Sequence, residues 1–276
     1  MSDAPEPALK TRDDILLPYM SMAPLPLAFE RTMEASIYRG LPPMQRPILD
    51  IGCGEGLFAK LVFDGKIDVG IDPDARELSR AKEFGAYHEL IQCFGDKIPR
   101  PDGSFQTIFS NSVLEHIPDL EPVLREAHRL LAPGGRFYFT VPSENFERYT
   151  VGDTIISGLG LRDLSARFRK FFNNFWRHYH YYPLDGWKDL ARRCGFEVID
   201  GYTYNPKRTA ILDDFLVPFS LVGFVLKKLT NRWTILPPVR RVLMIPFYLI
   251  AKPMLRGAER AERGGLVFVA LTKGGA

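Results

Sequence analysis

A chain of 276 residues with 46% hydrophobic and 25% charged residues supports one sizeable core with elaborations, which excludes a disordered or fibrous protein. The net charge of +3 says little on average, but residues 205–263 carry 11 Lys and Arg against 4 Asp and Glu, leaving the remainder acidic. The scattered cysteines Cys53, Cys93 and Cys194 exclude a disulfide framework and a CxxC metal site, and residues 1–7 lack the layout of a signal peptide, so a reducing, cytoplasmic setting is expected.

Residues 1–23 mix prolines and charges without periodicity and read as a mobile tail that orders against a ligand. Leu27, Met33, Ile37 and Tyr38 give a helical period over 25–39, stopped by Gly40 and the pair Pro42-Pro43. Residues 47–59 are then an apolar run, an acid, three alternating glycines and the start of an amphipathic helix: strand, turn, helix. Glycine is required where backbone takes positive φ or lies against a ligand, and the next helix begins with N–H groups that lack intrahelical partners. Such a turn is built to hold a small molecule. Gly52, Gly54 and Gly56 run Gly-x-Gly-x-Gly, whereas a dinucleotide fingerprint needs its third glycine where Leu57 stands. Asp50, at the strand's end, would repel a pyrophosphate and suits an ammonium group. Asp72, ending the next apolar run at 67–71, suits the two hydroxyls of a ribose. An amino acid joined to a nucleoside satisfies both acids.

A charged helix over 74–84, a strand over 88–93, a strand over 105–109, a helix over 119–131 and a strand over 136–141 follow. Leu120, Val123, Leu124, Ala127 and Leu131 give the helix one apolar face. Residues 143–182 then form a long insert rich in aromatics, arginine and histidine, and connections beyond roughly 12–15 residues are usually functional. A helix over 184–194 and a strand over 195–199 precede a second insert, 205–263, and a last strand spans 266–271.

Five motifs run in order through residues 45–142: Leu49-Asp50-Ile51-Gly52-Cys53-Gly54-Glu55-Gly56, Gly70-Ile71-Asp72, Gly95-Asp96, Asn111-Ser112-Val113-Leu114-Glu115-His116-Ile117 and Leu131-Ala132-Pro133-Gly134-Gly135. In this order they resemble the class I S-adenosylmethionine-dependent methyltransferases of the small-molecule type 11 group. The resemblance implies an α/β fold: a Rossmann-like, seven-stranded, mostly parallel sheet of order 3-2-1-4-5-7-6, strand seven antiparallel, with helices on both faces. It also implies one methyltransferase domain over 1–276, its core at 24–142, 184–204 and 264–273, with helical or irregular inserts at 143–183 and 205–263 after strands five and six. S-adenosylmethionine is the implied cofactor, bound by Asp50, Gly52, Cys53, Gly54, Gly56, Asp72, Pro73, Asp96, Lys97, Asn111 and Ser112, with Asp96 accepting from the adenine amino group. The helix over 25–39 is implied to lid that site. Gln106 stands where the family usually has an aspartate. Ser112 stands where a metal-binding subset has its first acid, so no metal is expected.

Methyl transfer from a sulfonium needs mainly positioning and a dry site, and an oxygen nucleophile benefits from a base near neutral pKa. His116, at the carboxyl edge of the sheet, is one candidate, and its alternative role is packing at the cofactor's mouth. His178 and His180 are the others: they alternate, so an extended segment points both one way. The expected reaction is methyl transfer to a small-molecule, lipid-like or glycan-type acceptor, at oxygen. A non-catalytic cofactor-binding protein and a nicotinamide oxidoreductase stay open beside it. No nucleic-acid module is visible. The apolar runs of the second insert, 215–226 and 242–251, each fall short of the roughly 20 residues that span a bilayer. Their basic flanks, Lys227, Lys228, Arg232, Arg240, Arg241, Lys252 and Arg256, suit an interfacial segment across 211–256, peripheral on the inner membrane face. Packing on the sheet or in a homodimer is the other reading.

Overall fold

A computed structural model describes residues 8–274. Seven strands form one sheet: β1 (Ile48–Ile51), β2 (Ile67–Asp72), β3 (Tyr87–Gln92), β4 (Phe105–Asn111), β5 (Leu131–Pro142), β6 (Glu197–Pro206) and β7 (Gly264–Thr272). Their order is β3-β2-β1-β4-β5-β7-β6, as the resemblance implies. β7 runs antiparallel to both neighbours, pairing Tyr138 with Ala270 and Tyr202 with Phe268, and the other pairings are parallel. β1 is buried along its whole length, which is why its sequence is a continuous apolar run interrupted only by Asp50.

The helices are α1 (Leu16–Met22), α2 (Leu25–Arg39), α3 (Leu57–Val62), α4 (Ala75–Phe84), α5 (Leu120–Leu130), α6 (Val151–Gly158), α7 (Arg162–Trp176), α8 (Leu184–Arg193), α9 (Lys207–Leu216), α10 (Leu221–Thr230) and α11 (Pro237–Met254). One core joins the sheet to α1 to α4 and the end of α11 through residues such as Met20, Met33, Phe63 and Phe109. The other lies under α5 and α8, where Leu124, Ala127, Trp187 and Ala191 are buried. Both faces of the sheet are thus covered, and ligands are left the carboxyl ends of β1 and β4, where the strand order reverses.

Three expectations change. Residues 1–7 of the expected tail lie outside the described residues, but the rest of it is fixed: Leu9 pairs with Met44, and Leu16, Tyr19 and Met20 of α1 are buried. The prolines there punctuate packed helices. β6 continues to Pro206, so the second insert leaves from the sheet edge later than the 195–199 strand implies. Finally, α9, a 3-10 turn at 217–220 and α10 join into one helical run, Lys207–Thr230, of 24 residues, within which an 18-residue stretch has a mean hydropathy of 1.8. By length and composition it reaches bilayer span, which corrects the estimate from the shorter run.

Candidate active site

The glycine turn folds as its spacing requires. Gly52, Gly54 and Gly56 take φ of +78°, +51° and +75°, which L side chains rarely adopt. A Cβ on Gly52 would lie 2.4 Å from Val113 and one on Gly56 would lie 3.0 Å from the Tyr87 ring, while at Gly54 nothing lies within 4 Å. Gly54 therefore faces open space at the mouth of the turn, as a ligand-facing glycine must. The N–H groups of the turn itself, ahead of α3, are engaged within the protein. Gly52 and Cys53 both donate to the Ile71 carbonyl at 2.9 Å, and Gly54 donates to Asp72 Oδ2 at 3.0 Å.

Asp72 is half-buried and also accepts from the Asp74 N–H at 2.8 Å. A carboxylate has about four lone-pair sites, so each oxygen retains one for a hydroxyl. Asp50 is more constrained than expected: Tyr87 donates to its Oδ2 at 2.7 Å, and burial pushes its carboxyl up to about 7. Its attraction for an ammonium group is reduced accordingly, and it ties β1 to β3. Cys53 is buried and burial pushes its thiol far up, so it packs as an apolar group. Pro73, Asp96 and Lys97 are exposed at the turns after β2 and β3, and the Pro73 carbonyl accepts from Gln92 Nε2 at 3.1 Å.

Asn111 and Ser112 end β4 and meet a group that the motifs do not contain. Glu34 of α2, 0% exposed, accepts from Arg31 at 2.6 Å, Asn111 Nδ2 at 2.6 Å, Ser112 Oγ at 2.9 Å and Tyr204 OH at 3.2 Å. Ser112 itself takes φ +52° and donates its N–H to the Thr140 carbonyl. α2 thus does reach the expected cofactor end of β4, through buried charge. The second insert reaches the glycine turn as well. Lys227 of α10 bridges Glu55 at 2.9 Å and Glu77 at 3.1 Å, and Trp233 Nε1 donates to Glu55 at 2.7 Å.

Beside Ser112 a cavity of about 600 Å³ opens between α2, α7, α9 and α10. Its walls are largely aromatic, with Phe146, Phe172, Trp176 and Phe224 among them, and its polar side includes Glu30, Glu115, His116, His178, Asn205 and Asp213. His116 and His178 come together with ring centroids 5.1 Å apart. The Arg177 carbonyl lies 3.3 Å from His116 Nδ1, so that nitrogen carries the proton and Nε2, 3.8 Å from Glu115 Oε1, keeps a lone pair. Burial lowers both imidazoles, His178 to about 4, and pushes the Glu115 carboxyl up to about 8. Donor atoms of the three lie within 4.8 Å of one another, and at neutral pH they form two neutral rings beside a carboxyl that is largely protonated. His180 does not join them. Its Nε2 lies 2.9 Å from the Ile117 carbonyl and its Nδ1 2.8 Å from Tyr182 OH. The expected equivalence of His178 and His180 is therefore corrected.

A strand-turn-helix closed by glycines, with an acid at the end of each of the first two strands, defines a nucleoside-cofactor site on a class I α/β sheet. Residues 27–200 match the methyltransferase domain model, and the chain belongs to that family as an S-adenosylmethionine-dependent methyltransferase. Among similar proteins, the ubiquinone biosynthesis O-methyltransferase of Pseudomonas aeruginosa is 30% identical over 169 residues, covering 58% of this chain and 69% of its own. That of Coxiella burnetii is 27% identical over 179 residues, covering 57% and 76%. Among solved structures, an S-adenosylmethionine-dependent methyltransferase of Thermotoga maritima has a TM-score of 0.52 at 17% identity, over 94% of this chain and 91% of that one. Phosphoethanolamine N-methyltransferase 2 of Haemonchus contortus, solved with S-adenosylhomocysteine, has a TM-score of 0.52 at 18% identity over 91% and 54%. These two structures share the fold.

Proposed function

We propose that the protein methylates a hydroxyl oxygen on an amphiphilic acceptor, drawn from a membrane surface, with His116 as general base. The observation that carries this reading is a pair of rings. Phe171 and Phe175 are 65% and 66% exposed and also line the cavity, so an apolar outer surface runs continuously into the wall of the site. S-adenosylmethionine, when bound, supplies an electrophilic methyl group whose sulfur leaves as a neutral thioether.

The chain's own groups then have defined tasks. Asp72, Asp96 and the space beside Gly54 suit the cofactor's ribose, adenine and backbone-facing side. His116 Nε2 would take the proton of an acceptor hydroxyl held beside it, leaving that oxygen nucleophilic. His116 is preferred over His178 because a pKa near 4 makes His178 the poorer proton acceptor at neutral pH. The aromatic walls exclude water from the displacement. The names of the relatives that are about 30% identical favour oxygen as the methylated atom.

The membrane part of the proposal rests on α10 and α11. α11 turns Met244, Tyr248 and Ala251 inward along one stripe and leaves Val242, Leu243, Phe247 and Ile250 exposed. Its charges serve less than the sequence suggests. Arg240 donates to the Met20 and Ala23 carbonyls, Lys252 pairs with Asp14, Arg232 with Glu83, and Lys227 is taken by Glu55 and Glu77. Lys228, Arg241 and Arg256 remain exposed without an ion pair among the described residues, and each contributes about 1 kcal/mol at an anionic surface. The 24-residue run Lys207–Thr230 would lose Lys227–Glu55 and its cavity face by spanning a bilayer, and it keeps both by lying on one. A peripheral position on the inner face of a membrane follows from this reading. The test is mass spectrometry of a lipid extract treated with the protein and isotopically labelled S-adenosylmethionine. A labelled methyl ether on an amphiphile is expected; label found only on water-soluble acceptors would overturn the lipid reading, and label on nitrogen the oxygen reading.

A further inference from the structure

The cavity holds polar atoms that the methyl transfer does not use. Asn205 Oδ1 and Asp213 Oδ1 are both buried without a hydrogen-bond partner, as are Glu115 Oε2 and His178 Nδ1. All four residues line the same cavity. Leaving a buried polar atom unpaired is costly, and a site with several of them beside aromatic walls is one whose partner arrives with the ligand. The four fall into two groups. Glu115 and His178 belong to the reacting end beside His116. Asn205 and Asp213 come from the end of β6 and from α9, where Asn205 Nδ2 donates to Asp213 Oδ2 at 3.4 Å.

The pair is held in place against local preference. Asn205 has φ +58° and is 2% exposed, its N–H donating to the Ala258 carbonyl at 2.8 Å. Asp214, the next residue of α9, is occupied differently, accepting from the Val151 N–H at 2.8 Å. Of the two, Asp213 is the one whose unpartnered oxygen is buried.

We propose that Asn205 and Asp213 form a second polar subsite of the acceptor cavity, which binds an uncharged hydroxyl of the acceptor's head and rejects an anionic head. This deepens the acceptor reading given above and rests on it. Asn205 Oδ1 is a pure acceptor, fit for a hydroxyl proton. Burial and the neighbouring Glu30 carboxylate push the Asp213 carboxyl well above its usual range, so that in its neutral form it both donates and accepts. A carboxylate or phosphate would meet Asn205 Oδ1, Asp213 and Glu30, while Arg31, the one Lys or Arg among the described residues that line the cavity, is engaged by Glu34 and Glu30. The acceptor is accordingly an amphiphile with one hydroxyl to be methylated and a second polar, uncharged group held away from the reaction.

The experiment uses the full chain and four probes with one tail: decan-1-ol, decane-1,2-diol, decanoate and decylamine, below their micellar concentrations and titrated by calorimetry at pH 8. The diol is expected to bind on the order of tenfold more tightly than the mono-alcohol, and decanoate more weakly than either. Asp213→Leu should bring the diol to the level of the mono-alcohol, and S-adenosylmethionine affinity, measured alongside, reports that the variant is folded. Asp213→Asn, which keeps the volume and a donor, should retain at least part of the preference and guards against misfolding of the leucine variant. Equal binding of diol and mono-alcohol by the parent, or unchanged preference in Asp213→Leu, overturns the subsite. Decylamine binding more tightly than the diol overturns its chemical class. Failure of all four probes to bind would overturn the amphiphile reading itself, and with it this proposal.

Discussion

At the scale of the residue, two side chains carry testable weight. Asp72 accepts two backbone N–H groups that shape the turn, and its remaining lone pairs face the ribose end of the expected cofactor. Asp72→Ala should therefore weaken S-adenosylmethionine binding by about 1.5–3 kcal/mol for each charge-assisted bond lost, seen directly in a calorimetric titration. His116→Ala should lower turnover on a hydroxyl acceptor by on the order of 10²–10⁴ while cofactor affinity stays near normal, whereas His180→Ala should leave turnover unchanged. A base works unprotonated, and burial holds His116 below its ordinary 6.5. The rate should then be flat through neutral pH and fall only as pH drops through that lowered value; a limb above 6.5 in the pH profile would assign the base elsewhere.

At the scale of the element, the decisive helix is α2. It is an apolar helix that carries Glu30, Arg31 and Glu34 on its inner side, and Glu34 fastens it to β4 and β6. Losing Glu34 would leave Arg31 with Glu30 at 3.3 Å and take the shared acceptor from Asn111, Ser112 and Tyr204, so Glu34→Ala should cost about 3–5 kcal/mol in urea unfolding, and the loss should exceed that of Glu30→Ala, whose carboxyl is partly exposed. The sequence made the sheet and the glycine turn legible because their signals are local: apolar runs of strand length, and glycines at positions where φ must be positive. The Glu34 group was not legible, since its partners outside α2 lie 77 to 170 residues away and no motif links them. Asn205 and Asp213 were hidden in the same way, inside an insert without a family pattern. The only local hint was charge at positions 30, 31 and 34 on a helix whose other inward residues are apolar. α1 is hidden for a different reason: the prolines and charges around it mask its period, although Leu16, Tyr19 and Met20 place a buried face at helical spacing.

At the scale of the whole molecule, the second insert makes the domain asymmetric, with a catalytic sheet on one side and an apolar helical face on the other. Leu243→Asp with Phe247→Asp alters only exposed positions of α11, so the fold and cofactor affinity should persist. Sedimentation with anionic vesicles should drop markedly for this variant, and parent binding should weaken in neutral vesicles by the contribution of the three exposed basic residues. Equal, negligible binding of the parent to both vesicle types would instead favour a soluble acceptor or a subunit interface.

The indole of Trp233 borders the acceptor cavity while its Nε1 donates to Glu55 in the glycine turn. One ring is thus a boundary shared by both ligand sites, and it is a natural fluorophore. Its emission should respond to cofactor and to acceptor with separate amplitudes, so that stopped-flow mixing in either order reports which ligand enters first. Trp176 and Trp187 supply the background that a Trp233→Phe control would isolate. The kinetic order of a two-substrate reaction is in this way written into the optical properties of a single side chain.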